Sequence, residues 1–360
     1  MYDLIIIGGG PAGTAAAITA SRGGAHVLLL ERGRFPRHKV CGEFVSAESL
    51  ELLGALLASP HVSLLRDAVR IPRSRVFLDG RVLQARIRPP SASIARLDLD
   101  AALWQSATSA GAETRQQQAV QSISGAGPFR VVTSDGEFEA RAVINASGRW
   151  SNLNRASEAA AVKWLGVKAH FAEASPPDSV DLYFFDGGYC GVQPVDCSGN
   201  GSGRVNAAAM VRADVASTLA EVFSKHPALL VRSRHWQPLS DPVTTSPLMF
   251  RVPQPVRDGI LLAGDAAGFV DPFVGDGISL ALRSGALAAE CLLGFFRKNV
   301  SLADAEANYQ AAYQRRFVPI FGASSKIRRM LRLPRALRKP LLFILESTPA
   351  FTEYLVTRTR

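Results

Sequence analysis

The first thirty-one residues constrain the fold more than any other part of the chain. Tyr2–Ile7 is an apolar run that opens onto Gly8-x-Gly10-x-x-Gly13. Pro11–Arg22 is alanine-rich and, past Gly13, free of helix breakers. A second apolar run, Val27–Leu30, ends at Glu31 and Arg32. Strand, helix and strand within about thirty residues make a β-α-β unit. Glycines at this spacing say little alone. Between a strand and a helix, with an acidic residue closing the second strand, they form a dinucleotide fingerprint. Gly8 permits the tight turn, Gly10 lets the backbone approach a pyrophosphate, and Gly13 lets the helix pack on the sheet. Pro11 and Ala12 open the helix, where unpaired N–H groups and a partial positive charge favour a diphosphate. Glu31 can accept hydrogen bonds from a ribose diol and would repel a 2′-phosphate.

A second motif lies far downstream: Leu261–Phe269 (LLAGDAAGF), then Asp271-Pro272, then Gly275-Asp276-Gly277-Ile278. Asp265, at the mouth of a strand beside Gly264 and other small residues, can hydrogen-bond a polyol chain. Glycines at the start of the next helix offer N–H donors to a polarised carbonyl or to N1 of a flavin ring. An NAD enzyme has no use for this element, so the expected cofactor is FAD. The competing reading is a surface loop with a capping Asp.

Between the two motifs the pattern changes. Ser46–Ala58 has helical spacing in Leu50, Leu53 and Leu57. Val76–Leu78, Asp79-Gly80 and Val82–Ile87 read as a hairpin, because Asp-Gly suits a primed turn. Asp98–Gly111 reads as a helix, and Val120–Ile144 as a small antiparallel sheet. Residues 162–171 and 180–211 are strand-rich around a loop at 198–203. Asp214–Lys225 reads as a helix capped by Asp214. Gly259–Ala263 is one more apolar strand, followed by a helix from Gly277 to Arg297. The expected fold is therefore α/β: a Rossmann-type FAD-binding domain with an inserted antiparallel β-sheet substrate domain and a C-terminal helical tail. The discontinuous FAD domain takes residues 1–70, 91–160 and 245–297, the β-rich domain 71–90 and 161–244, and the helical segment 298–360.

These motifs together resemble the p-hydroxybenzoate-hydroxylase-fold flavoproteins, and within them the geranylgeranyl reductase-like branch. Besides the two glycine motifs, the resemblance rests on Arg37–Glu43 (RHKVCGE), on Arg96-x-x-x-Asp100 after Ser93, and on Asn145–Ser151 (NASGRWS), which includes Ala146, Ser147 and Gly148. It covers residues 1–296 and is weakest in the inserted domain. It implies that Asp265 holds the ribityl chain, that Gly275–Ile278 face the pyrimidine end of the ring, and that Arg37 and Arg96 lie near the phosphates or the flavin edge. It also implies a cysteine beside the ring in a Cys-Gly-Glu context, which Cys41 and Gly42 match. Read from the residues alone, Cys41 is either a thiolate favoured by nearby Lys39 or a small buried side chain.

Two departures bear on activity. The hydroxylases of this fold carry Asp-Gly where this chain has Ser147-Gly148, so tight use of NADPH is not implied. Electrons come from NAD(P)H or from a reduced partner protein such as a flavin reductase or ferredoxin. Prenyl reductases carry Tyr-x-Trp-x-Phe-Pro along the lipid cavity; the matching stretch here is Tyr189-Cys190-Gly191-Val192-Gln193-Pro194. Losing Trp and Phe removes two large apolar surfaces, and Gln193 adds a donor and an acceptor. Tyr189 lines the cavity or fills core. The Trp-x-Trp-x-Ile-Pro element of flavin-dependent halogenases is absent. Three functions follow as alternatives: reduction of a carbon–carbon double bond in an apolar prenyl or polyketide substrate, monooxygenation of an aromatic or polyketide substrate, and a non-catalytic flavin-bound module that binds a carrier.

Charge narrows the partners. The formal net charge is +10, but from Arg297 onward there are 13 Lys/Arg against 4 Asp/Glu, leaving 28 against 27 in the preceding residues. A nearly neutral body argues against nucleic acid. Residues 324–345 carry Lys326, Arg328, Arg329, Arg332, Arg335, Arg338 and Lys339 among leucines, a pattern for an anionic membrane surface, an acidic carrier protein or plain solvent. The six histidines lack metal-ligand spacing, and the four cysteines form no CxxC pair. No run approaches the roughly eighteen apolar residues of a membrane span. A cytoplasmic protein, free or peripheral to a membrane, is expected.

Overall fold

A computed structural model of the protein describes residues 1–149, 153, 163–197, 202–245, 248, 250, 252–331, 333–338 and 340. Most of the loop at 198–203, Trp150 and Ser151 of the NASGRWS segment, and the tail from 341 lie outside the described residues.

Two sheets organise the molecule. The first has Tyr2–Ile7 at its centre, parallel to Val27–Glu31 on one side and to Gly136–Asn145 on the other, with Glu113–Gln116 and Ile260–Leu262 beyond them. Strands buried on both faces need apolar side chains at every position. Leu4 and Ile6 enter the core under the helices, whereas Ile5 and Ile7 pack with Phe129 and Val131 of an antiparallel hairpin on the other face. Helices Pro11–Arg22, Arg96–Ser109 and Gly277–Phe296 cover the first face. Gly277–Phe296 is long and apolar enough to cross a membrane, yet most of it is buried inside the protein. Its Gly285 lies so close to Pro11–Arg22 that a Cβ there would overlap the Ala12 carbonyl oxygen. The two helices touch backbone to backbone, which fixes the floor of the site.

The second sheet runs Gln237–Pro238, Trp164–Ala174, Ser202–Arg212, Gly188–Cys197, Ser179–Phe185, Val69–Leu78, Arg81–Ser93, Phe44–Val45. It is antiparallel except where Ser179–Phe185 runs parallel to Val69–Leu78. Those strands are separated by much of the nucleotide-binding unit, so no hairpin fixes their relative direction. At the turn between Val69–Leu78 and Arg81–Ser93, Asp79 and Gly80 both have positive φ (53° and 79°), as the Asp-Gly pair requires for a type I′ turn.

Three local expectations shift. The helix expected at Asp214 begins at Leu219, because the Thr218 side chain caps it by accepting the Glu221 N–H while Asp214 pairs with Arg212. The expected helix at Ser46–Ala58 splits into a single 3-10 turn, Ala47–Ser49, and the helix Leu50–Leu56. The helix expected at Asp98 starts at Arg96, where the Arg96–Asp100 pair staples its first turn.

Candidate cofactor and substrate site

The two sheets and the helix Val318–Leu331 enclose a cavity of about 770 Å³. Its first half is a trough of backbone. Gly8 has φ 104°, reserved for glycine by the turn, and a Cβ there would overlap the Ala146 carbonyl. At Gly10 the reason is different. Its φ is an ordinary −75°, and a Cβ would meet only Arg96 Nη2, at 4.0 Å. Gly42 and Gly277 also have no positive φ, and a Cβ on either would meet nothing within 4 Å. Three glycines that the polypeptide itself does not require thus face the same cavity. The space they leave suits a flat or extended group lying against the backbone.

Charge in the trough fits the same group. Arg37, Lys39 and Arg96 all line it. Arg96 is clamped by Asp100, its Nε and Nη2 donating to the two carboxylate oxygens at 2.8 and 2.7 Å. Burial, together with Arg37 and Arg96, pushes the Lys39 ammonium down to about 8. An arriving diphosphate would relieve that crowding. Glu31 is nearly buried and accepts the Gly9 N–H (2.9 Å), the Gly33 N–H (2.7 Å) and Arg37 Nη2 (2.8 Å). Burial works against its ionisation, but Arg37 and these N–H groups hold it below the usual carboxylate range. Arg37 therefore sits at the ribose end, beside Glu31. Across the trough, Asp265 is partly exposed beside Arg149 Nε at 3.4 Å, and that guanidinium lies over the Phe269 ring. Ser147 is turned back onto Asn145, its N–H and hydroxyl both donating to Asn145 Oδ1 at 3.0 and 2.6 Å.

Most of the sequence-derived residues converge. Gly8, Gly10, Pro11, Ala12, Glu31, Arg32, Arg37, Cys41, Gly42, Arg96, Ala146, Ser147, Gly148, Gly264, Asp265, Pro272, Gly275, Gly277 and Ile278 line one cavity, with Tyr189 further in. Two do not reach it. Gly13 is packed beneath the turn, where a Cβ would overlap the Gly8 carbonyl oxygen. Asp276 faces away from the trough and accepts the Ser46 hydroxyl at 2.9 Å. Burial pushes Asp276 up to about 6, with Ser46 opposing, and its Oδ2 is buried without a hydrogen-bond partner. Cys41 is partly buried. Its Sγ accepts the Glu43 N–H at 3.3 Å, and its charged neighbour is the Arg96 guanidinium, in place of the expected Lys39. Tyr189 both lines the cavity and belongs to an aromatic cluster with Phe184 and Phe273, its hydroxyl buried beside Asp271.

Several contributors escaped the sequence reading. Ile327, Met330 and Leu331 of the C-terminal helix wall the far, apolar half together with Leu78, Leu83 and Phe184. On the same helix Arg328 pairs with buried Asp271 and lies over Phe250, and beyond the helix end Arg338 donates to both oxygens of Asp79 at 2.7 and 2.8 Å. The basic tail is thus partly turned inward. Glu43, quoted for its motif only, is fully buried against Lys168 and His170. A sequence signal existed: Lys168 and His170 stand two apart in a largely apolar strand.

The chain is similar to several known proteins. A protein of Methanopyrus kandleri named digeranylgeranylglycerophospholipid reductase 2 is 28% identical over 90% of this chain and 84% of its own length. A menaquinone reductase of Mycobacterium tuberculosis is 29% identical over 81% of this chain and 76% of its own. The solved structure of a flavin-dependent brominase superposes with a TM-score of 0.78 at 20% identity, covering 99% of this chain and 93% of that one, a likeness of fold. The sequence pattern described as the FAD binding domain matches residues 1–301, which takes in both glycine motifs and every trough residue named above; the chain belongs to the FAD binding domain family.

Proposed function

We propose that the protein uses bound FAD to reduce a carbon–carbon double bond in an apolar substrate of the prenyl or polyketide type. One observation carries this reading: the glycine trough opens directly into an apolar half walled by Val76, Leu78, Leu83, Phe184, Met330 and Leu331. A hydrocarbon chain seated there loses its water, which favours binding by about 25 cal/mol for each Å² covered. FAD would rest on the backbone of Gly8–Ala12, with Glu31 at the ribose, Asp265 at the ribityl chain and Gly275–Ile278 near the ring. When bound it supplies the redox chemistry; the chain supplies placement, exclusion of water and electrostatics. Reductase names among the relatives support the reading. Electrons would enter from NAD(P)H or a reduced partner protein. The same reading places the chain in the cytoplasm, with its basic tail available to a membrane surface or an acidic carrier.

Monooxygenation is the second reading, favoured by a polar side chain in the cavity wall, Gln193. Gln193 Nε2 donates to Ser93 Oγ at 2.6 Å, both side chains are buried, and Gln193 could present its carbonyl to a substrate hydroxyl. The test is anaerobic. Protein loaded with FAD and reduced is mixed with a prenylated quinone or an isoprenoid alkene, then separately with oxygen. Reoxidation with a product two hydrogens heavier at a double bond of the hydrocarbon chain, not merely at the quinone ring, supports reduction. Reoxidation by oxygen alone, with oxygen recovered in a product, replaces it with the second reading.

A further inference from the structure

Behind Cys41, three ionisable side chains meet out of reach of water. Glu43 is fully buried, and Lys168 and His170 are nearly so. One Glu43 oxygen takes Lys168 Nζ and the Arg96 backbone N–H (2.9 Å); the other lies 2.7 Å from His170 Nε2. The two-residue period of the strand Trp164–Ala174 brings Lys168 and His170 to the same face. Glu43 itself has φ 63°, a backbone state that a residue with a Cβ keeps only when its surroundings over-determine it. His38 stands beside this cluster in the wall of the cavity, which Glu43 also lines. Its ring meets that of His170 edge to face, 5.5 Å between centroids, and it lines the cavity with Nδ1 buried and without a hydrogen-bond partner.

Holding Glu43 in place needs one counter-ion, and two basic partners are present. Lys168 alone neutralises the carboxylate. His170, the second partner, fixes the other carboxylate oxygen and lies against the His38 ring. Reduction of a carbon–carbon double bond needs a proton as well as a hydride. We propose that His38 is the proton donor to the cavity and that Glu43, Lys168 and His170, packed behind it, set its charge. The step balances. With reduced FAD bound to supply the hydride to one alkene carbon, protonated His38 would give its N–H proton to the other as the π bond breaks. His38, partly exposed, then regains its proton from solvent. His38 faces the reacting space and is the candidate catalytic group; the other three are positioning residues that act through it. Lys168, His170 and Arg204 oppose its protonation and Glu43 favours it; burial, the largest influence, also opposes, leaving the imidazole below its ordinary value.

The inference rests on the reductase reading but can be tested apart from it. FAD-loaded protein is reduced at an electrode under nitrogen in dilute buffer near neutral pH, and the protons taken up are counted with an indicator dye. Electrons entering the cavity raise the proton affinity of His38, which faces it. The wild type should therefore take up more protons per two electrons than His38→Asn or Glu43→Gln, by on the order of half a proton. Equal counts in wild type and His38→Asn overturn the proposal. Glu43→Gln leaves Lys168 unpaired in the core and can unfold the chain, so the partly exposed His38 carries the decisive variant. Nitrogen-15 histidine spectra of the wild type give an independent readout: the His38 titration should move to higher pH on reduction, and an unmoved titration overturns the proposal. A protein that takes up the extra protons but transfers no electrons to any alkene or quinone keeps the cluster and loses the reductase reading.

Discussion

A glycine is demanded either by its own backbone or by what lies against it, and Gly13 and Gly10 separate the two cases. A Cβ on Gly13 would overlap the Gly8 carbonyl oxygen, whereas on Gly10 it would point into the trough with only Arg96 at 4.0 Å. Gly13→Ala should therefore lower the melting temperature of the flavin-free protein. Gly10→Ala should leave that temperature nearly unchanged and weaken FAD binding by at least about tenfold, or ~1.4 kcal/mol. Thermal melts of apoprotein beside flavin-fluorescence titrations check both, and a Gly10→Ala protein that binds FAD normally would remove the diphosphate from this turn. Lys39 supplies a pH test. Its free-state value of about 8 rises when a diphosphate neutralises the trough. The affinity gained from its charge is thus fully present below pH 8 and is lost as pH climbs through the higher bound-state value. FAD titrations from pH 7 to 10 should weaken with a slope that Lys39→Met abolishes; identical slopes in the two proteins would contradict the assignment.

At the scale of elements, what the sequence revealed followed sequence distance. The first β-α-β unit and the Asp79-Gly80 turn depend on neighbours in the chain, and both were legible. The inward role of the tail was not. Arginines among leucines have the spacing of a solvated basic face, and nothing local shows that Arg338 meets Asp79, 259 residues away. Asp276 misled for the opposite reason: flanked by two trough glycines it reads as part of the trough, but Ser46, from a distant segment, draws it away. The Lys168–His170 pair was visible as polar residues in an apolar strand, yet its partner Glu43 could be found only once the fold was known. The Arg338–Asp79 bridge makes a measurable claim. Both side chains are 9% exposed, so Arg338→Ala strands a nearly buried carboxylate. The expected loss is about 3 kcal/mol, less whatever Arg335, at 3.4 Å, recovers. Adding Asp79→Asn, which tolerates the left-handed turn, should restore most of the loss in denaturant melts. Equal destabilisation in the single and double variants would mean that the bridge is incidental.

For the whole molecule, the C-terminal helix joins two tasks, closing the apolar half of the cavity and presenting charge to the outside. Arg328 of this helix and Arg338 beyond its end are engaged inside, at Asp271 and Asp79, while Lys326 and Arg329 of the helix are exposed. If the tail meets an anionic membrane, the exposed pair must carry the attraction, because the inward pair is already neutralised. Each surface cation near such a membrane contributes about 1 kcal/mol, within a screening length of about 8 Å at physiological salt. Lys326→Ala with Arg329→Ala should then lower binding to anionic vesicles by roughly thirtyfold at low salt. The same change should leave FAD affinity and the melting temperature within error. Arg338→Ala should behave in the opposite way, lowering stability and loosening the apolar wall while vesicle binding stays nearly constant. Unchanged pelleting of the double variant would reject the membrane surface and leave the exposed cations to solvent or to an acidic protein. Loss of FAD affinity along with pelleting would show that the outer face of the helix cannot be separated from the cavity it closes.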